Sequence, residues 1–412
     1  MNTPSEENSK LSKIHVSGLA IGMNVVKLDK DWLESSFLYQ GFIIQNNSDI
    51  RLLEDECRHV WIEPVTEKES RQKDKPPHVL DKQDNQKPRY INKLSMTNEY
   101  EKSYEAFKTS RRKTKSLLDN IAFSDVINIK EAKEAVETCL ESIVRNPNAM
   151  LWMSRIREAE SYTADHSLNV CILCIAFGRY LGYDKEELFA IGMCGLLHDV
   201  GKMRVPVTVL NKASKLSEKE WKVMQAHVIF GRNLLMSSPG IGQSVDVAYS
   251  HHERIDGTGY PRGLDGSQIS AYTKIVSIVD SFDAMTAERK YSTSMTSSAA
   301  VKEIYRCRGT QFDEKLALQF IELIGMYPPG TIVELSNGYL GIVLERSQMY
   351  QRLPKVLLLK DALGKKVKKE LIDLSLIEKG TMNRSFLIKG DNRDGYQGLK
   401  VADYQHFILS IE

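Results

Sequence analysis

Five of the nine histidines, His166, His198, His227, His251 and His252, fall between residues 166 and 252, on segments whose apolar spacing is helical. No other feature constrains the fold as strongly, because helices that carry them must bring several imidazoles together. Leu188, Ile191, Cys194, Gly195 and His198 share one helix face at i, i+3, i+4 spacing, so His198 ends an apolar stripe and points into the core. Asp199 follows it in Leu197-His198-Asp199-Val200-Gly201-Lys202. The pair His251-His252 leads through Glu253-Arg254 into Gly257-Thr258-Gly259-Tyr260-Pro261. Histidine beside aspartate is a ligand set for borderline divalent metals. Asp280 sits among Ile275, Ile278, Val279, Phe282 and Met285, where an unpaired carboxylate is costly and a metal or cationic partner is expected.

The 412 residues suggest two or three domains. Hydrophobic content of 42% and charged content of 27% are those of a globular chain. A net charge of +2 argues against a nucleic-acid polymer or a membrane as partner. No apolar run approaches the ~20 residues of a membrane span, and Met1–Glu7 lacks a signal-peptide core; a cytoplasmic location is expected. Six cysteines are too few for a disulfide scaffold, and Cys171 and Cys174 read as helix core. The basic cluster Arg111-Arg112-Lys113 with Lys115 reads as a solvated helix face.

The chain reads as a mainly α protein, a helical bundle, with a small α/β N-terminal domain and a small β-rich C-terminal subdomain. Residues 1–63 carry short strands at Lys13–Leu19 and Met23–Leu28, a helix from a cap at Asp49 to Arg58, and a strand at Val60–Ile62. Residues 64–97 form a charged, proline-containing linker that buries too little to order itself. Residues 98–148 are two connecting helices broken near Ala122–Asp125, with a boundary at Asn146-Pro147. Residues 149–326 are almost wholly helical, and Ser217–Glu220 is a capping box whose helix carries His227. Residues 327–412 open on a hairpin turning at Asn337-Gly338, add a strand at Val356–Leu359, and end in an irregular tail with one strand near Phe407.

His166, His198, Asp199, His227, His251, His252 and Asp280 are candidate metal ligands of one site, with Asp199 bridging two ions. Two metal ions lower the pKa of water from about 15.7 to about 7 and bind phosphate oxygens, which suits in-line attack on a phosphodiester. Asp199 and Lys202 are the candidate catalytic residues, the Lys202 ammonium neutralising charge in the transition state. The turn at Gly257–Pro261 is neither a Walker nor a Rossmann loop; Gly259 and Tyr260 are candidate substrate contacts.

The chain resembles the HD-GYP family of bacterial cyclic-dinucleotide phosphodiesterases. The resemblance rests on His198-Asp199-Val200-Gly201-Lys202, on His251-His252-Glu253-Arg254 with Asp256–Pro261 and Gly263-Leu264, and on Tyr162–Ser167 upstream. Gly22-Met23, Leu28-Asp29, Trp32 and Gly41-Phe42 resemble the uncharacterised domain that often precedes it in proteobacteria. The resemblance implies hydrolysis of cyclic di-GMP through pGpG to GMP, or of 3′,3′-cGAMP, by two divalent ions: Fe or Mn, with Zn, Mg and Ni as alternatives. It makes His166, His198, Asp199, His227, His251 and Asp280 ligands, brings Lys202 to the scissile phosphate, and puts Asp283 and Arg289 on the substrate side. A glutamate that binds a third metal in some members is Tyr162 here, so two metals are expected and the role of His252 stays open. Arg289-Lys290-Tyr291-Ser292 departs from the usual Arg-Pro-Tyr-Arg, and Ile255 replaces the usual aromatic after Glu-Arg. A cyclic-dinucleotide sensor without turnover and a hydrolase of nucleoside polyphosphates are the competing readings. A diguanylate-cyclase-type protein and a second copy of the chain, joined through 98–145, are the expected protein partners.

Overall fold

The computed structural model describes residues 11–30, 35, 41–44, 47–63, 90–124, 127–156, 162–212, 214–238, 240–287, 294–347, 350 and 352–404. The linker expected at 64–97 lies outside these residues up to 89, as do Trp32 and the strand expected near Phe407. The chain divides into two compact units: residues 1–86 with 378–381, and the remainder.

The first unit holds β1 (Ser12–His15), β2 (Asn24–Leu28), β3 (Phe42–Ile43), α1 (Asn47–Glu56) and β4 (His59–Glu63). The strands form one antiparallel sheet in the order β1-β4-β2-β3. Val25, Leu28 and Val60 from the sheet and Leu53 from α1 are fully buried together with Ile44 and Val16. Asp49 lies in the first turn of α1 and does not cap it, because the helix begins two residues earlier. The carboxylate of Asp29 accepts the backbone N–H of Arg58 and of His59, at 2.9 Å each, and so anchors the start of β4.

The second unit begins with a helical hairpin, α2 (Met96–Ser124) and α3 (Ile129–Arg145). The α2 face made by Met96, Tyr100, Ser103, Phe107, Ser110, Thr114, Leu118 and Ile121 is buried, which is the 3.6-residue period of a packed helix. Small hydroxyl residues inside that stripe make specific bonds: Ser103 and Ser142 join hydroxyls at 2.7 Å, and Ser110 donates to the Ala135 carbonyl at 3.0 Å. Asn146 ends α3 and caps α4 (Pro147–Met153), with proline in its first turn.

The bundle continues through α5 (Tyr162–Tyr180), α6 (Lys185–Leu197), α7 (Val207–Leu210), α8 (Glu218–Gln225), α9 (His227–Met236), α10 (Gly242–Ser250), α11 (Ala271–Thr286), α12 (Ser297–Arg306) and α13 (Glu314–Ile324). From residue 188 onward α6 is buried almost all round, and Cys171, Cys174 and Cys194 are fully buried between α5 and α6. No described helix is long and apolar enough to cross a membrane.

The C-terminal strands β5 (Ile332–Leu335), β6 (Leu340–Glu345), β7 (Lys355–Lys360), β8 (Lys366–Asp373) and β9 (Ile388–Asn392) form an antiparallel sheet ordered β8-β7-β6-β5-β9. The β5–β6 hairpin has a three-residue loop, because Leu335 pairs with Tyr339 and its carbonyl accepts the Gly338 N–H at 2.8 Å. β9 falls where an irregular tail is expected. It closes the edge of β5, with Val333 opposite Asp391. The polar run Ile388–Asn392 carries no alternating apolar pattern, so only the pairing reveals it.

Candidate metal centre

Five helices deliver the clustered side chains. His166 stands in the first turns of α5, and His198 terminates α6. Asp199 opens a 3-10 turn, Val200–Arg204, and His251 terminates α10. Asp280 and Asp283 share α11. The helix capped by Ser217 is expected to carry His227, but it ends at Gln225, and His227 begins α9. The break lets the 3-10 turn nest against α9. Gly201 permits this approach, because a Cβ there would lie 1.9 Å from the His227 carbonyl oxygen.

Asp199 occupies the middle. Its Oδ2 lies 3.4 Å from His166 Nε2 and 3.3 Å from His198 Nε2. Its Oδ1 lies 3.4 Å from His227 Nε2 and 3.6 Å from His251 Nε2. Asp280 Oδ1 approaches His166 Nε2 at 3.1 Å and His198 Nε2 at 3.7 Å. Donor atoms of His166, His198 and Asp280 gather within 4.8 Å of one another, as do those of His198, Asp199 and His251, and those of His227, His251 and His252. Lys202 donates to Asp199 Oδ2.

The ring nitrogens facing away are all engaged. Nδ1 of His198, His227 and His251 lies 2.8, 2.7 and 3.2 Å from the carbonyls of Gly195, Met224 and Val247, and Nδ1 of His166 lies 2.8 Å from Asp283 Oδ2. A ring that donates from Nδ1 presents the Nε2 lone pair inward, the form that binds a metal. His227 and His251 thus aim two lone pairs at one space, their Nε2 atoms 3.4 Å apart, beside the Asp199 carboxylate. Asp199 Oδ1 and His198 Nε2 are buried without a hydrogen-bond partner among the described residues. Buried acceptors facing each other are costly unless a cation lies among them, so the residues present fit divalent metal.

The electrostatics divide the site into two sides. Burial works against ionisation of Asp199, yet Lys202 and His198 hold its carboxyl well below the usual range. Burial disfavours charge on His198, but Asp199 and then Asp280 push it up to about 9. His227 goes the other way: burial pulls it down to about 3, and Lys202 and His251 work in the same direction against Asp199. Protons therefore compete for the His166–His198 side of the site and not for the His227 side. Because the His198 proton must leave before a metal binds, metal affinity is expected to rise with pH until about 9 and to level off above it. Affinities measured by anaerobic titration at three pH values would test this, and a flat profile would rule it out.

The glycine-rich turn forms the wall beside His252. Buried Glu253 accepts the N–H groups of Arg262 at 2.7 Å and Leu264 at 2.9 Å, fastening the turn. Arg254 grips Asp256, which also holds the Thr258 hydroxyl at 2.6 Å. A Cβ on Gly259 would lie 2.4 Å from the Arg254 nitrogen, so only glycine lets the turn fold back. Tyr260 stacks on His252 with centroids 4.8 Å apart.

Asp283 is expected on the substrate side; the structure places its carboxylate behind a candidate ligand. It is buried against His166 Nδ1 and orients that ring. Replacing it with Ala is expected to weaken metal affinity about 10- to 100-fold; unchanged metal content after dialysis would refute the orienting role. Arg289, Lys290 and Ser292, and the side chain of Tyr162, lie outside the described residues. Among the basic residues read as a solvated face, Arg112 and Lys115 are exposed, but Arg111 is not solvated. Its guanidinium makes two 2.7 Å bonds to the buried Asp165 carboxylate, one residue before His166. Arg111 falls in register with Phe107, Thr114 and Leu118, a spacing that marks it as inward-facing.

A mainly α bundle with His-Asp at its centre defines the HD class of metal-dependent phosphohydrolases. Residues 139–316 match the family model described as an HD domain, and residues 11–132 match a domain of unknown function (DUF3391). The chain is 32% identical over 374 residues to the cyclic di-GMP phosphodiesterase PA4108 of Pseudomonas aeruginosa, across 88% of this chain and 89% of that one. It is 39% identical over 142 residues to 3′3′-cGAMP-specific phosphodiesterase 3 of Vibrio cholerae, and spans 31% of that protein's length. Among solved structures it is similar to Bd1817, an HDG"Y"P protein from Bdellovibrio bacteriovorus, at 17% identity and TM-score 0.46 over 76% of this chain and 99% of that one. The chain belongs to the HD-GYP family of phosphodiesterases, with the DUF3391 domain ahead of the catalytic one.

Proposed function

We propose that this chain hydrolyses a 3′,5′-cyclic dinucleotide, cyclic di-GMP or 3′,3′-cGAMP, at a centre of two divalent ions within residues 149–326. The observation that carries the reading is the position of Asp199, each of whose oxygens faces two imidazoles. His166, His198 and Asp280 would hold one ion and His227, His251 and His252 the other, with Asp199 shared. Such ions supply a nucleophile at neutral pH and neutralise phosphate oxygens. The nitrogen-rich ligand set with a bridging carboxylate suits Fe or Mn, with Zn, Mg and Ni as alternatives.

The chain's own residues do the rest. Lys202, bonded to Asp199, brings an ammonium to the edge of the site, where it stabilises charge on the phosphoryl oxygens. Gly259 and Tyr260 shape the wall against which the nucleotide lies, and Arg289 is proposed to reach it from the segment after α11. A cyclase-type protein, homodimerisation through 98–145 and a cytoplasmic setting belong to the same proposal. The test is product analysis by chromatography on protein loaded anaerobically with Fe or Mn, offered both nucleotides. Conversion to linear products supports the reading. Tight binding without conversion would make the chain a sensor instead.

A further inference from the structure

Trp221 is a half-exposed tryptophan with no part in holding metal. It sits on α8, whose start is fastened by the reciprocal Ser217–Glu220 capping box and by Lys212 on Glu220 at 2.6 Å. The residue keeps 48% of its surface in solvent. Large aromatic surface left in water is costly, so a single exposed indole at the rim of a site invites a ligand. The indole stands edge-on to Tyr260, with centroids 6.4 Å apart. Tyr260 in turn stacks on His252, and His252 lies 4.1 Å from the His251 ring. A continuous run of rings therefore leads outward from the imidazole cluster to an open indole face.

We propose that Trp221 is the stacking platform for a purine base of the cyclic dinucleotide, a binding contact that holds a phosphodiester of the ring toward Lys202. This inference rests on the cyclic-dinucleotide reading above. In such a substrate each phosphate is one ribose away from a base. When a phosphate oxygen lies at the cluster, the base must therefore extend outward along its wall. That wall is aromatic: the Tyr260 ring lies stacked on His252 and edge-on to Trp221. Stacking tolerates any base, so the platform contributes affinity for purine rings and leaves the choice between guanine and adenine to other contacts.

The test uses the full chain, metal-loaded, as wild type, Trp221→Ala and Trp221→Phe. Two substrates are compared: cyclic di-GMP, and methyl p-nitrophenyl phosphate, a phosphodiester without bases. Trp221→Ala is expected to raise KM for cyclic di-GMP about 5- to 150-fold, the range for losing one base-stacking contact. Its kcat, and its rate on the base-free diester, should stay near wild type, and Trp221→Phe should recover most of the affinity. A parallel change on both substrates would show that Trp221 only supports the fold, and no change on either would also overturn the proposal. Binding is read separately by tryptophan emission, which cyclic di-GMP should quench in wild type and not in Trp221→Phe. Turnover without quench or KM effect removes the platform alone. Quench without turnover keeps the platform and removes the hydrolase reading, and loss of both signals removes both.

Discussion

Replacing Asp199 with Ala is expected to lower turnover of cyclic dinucleotide by about 10³- to 10⁴-fold and to cut bound metal below two ions per chain. Both oxygens matter, because Oδ1 faces His227 and His251 while Oδ2 faces His166 and His198. Removing them deprives both halves of the site of their shared anion. It also leaves Lys202 without its carboxylate, so an ammonium would sit close to imidazoles that should receive cations. Metal ions contribute several kcal/mol of charge stabilisation in the transition state, and each 1.36 kcal/mol is tenfold in rate. Asp199→Asn keeps the shape and loses the charge, so it separates electrostatics from packing and should fail nearly as badly. Turnover within tenfold of wild type in Asp199→Ala, measured by product chromatography, would sink the two-ion reading.

The second large effect is on stability. Arg111→Ala is expected to destabilise the helical unit by about 3–5 kcal/mol, the usual result of removing one partner from a buried ion pair. Arg111 reaches from α2 to α5 and makes two bonds to Asp165, whose side chain is 3% exposed. That buried carboxylate would lose its guanidinium, next to the residue that carries a candidate ligand imidazole. Replacing both partners together, Arg111→Met with Asp165→Leu, should recover most of the loss, because two apolar groups need no partners. Urea denaturation followed by helical circular dichroism measures each arm. A shift in Arg111→Ala under about 1 kcal/mol would place this pair among weak surface contacts.

Several parts of this protein were legible without coordinates because they depend on local chemistry. The apolar period of α6 points His198 inward whatever surrounds it, and the spacing of Asp280 in α11 places a carboxylate among apolar neighbours. A capping box at Ser217 starts a helix by satisfying its own N–H groups. The motifs around Asp199 and Tyr260 carried the family because their residue types serve one metal chemistry.

What the sequence did not show shares a physical origin. The resemblance puts Asp283 on the substrate side and says nothing of its bond to a candidate ligand. Its partner, His166, is distant in the chain, and only packing of α11 on α5 brings the two within 2.8 Å. Arg111 reads as surface because arginine usually is, and its burial depends on Asp165 waiting on another helix. β9 has no strand pattern and forms because β5 offers an open edge. The break before His227 follows from the close approach of Gly201, a contact between segments that no local rule contains. The sequence by itself determined the candidate ligands and most of the helices that carry them, because residue type and period are properties of short segments. Tertiary structure decided which oxygen of Asp199 faces which imidazole, and which buried charges are paired, because those energies exist only between segments far apart in the chain.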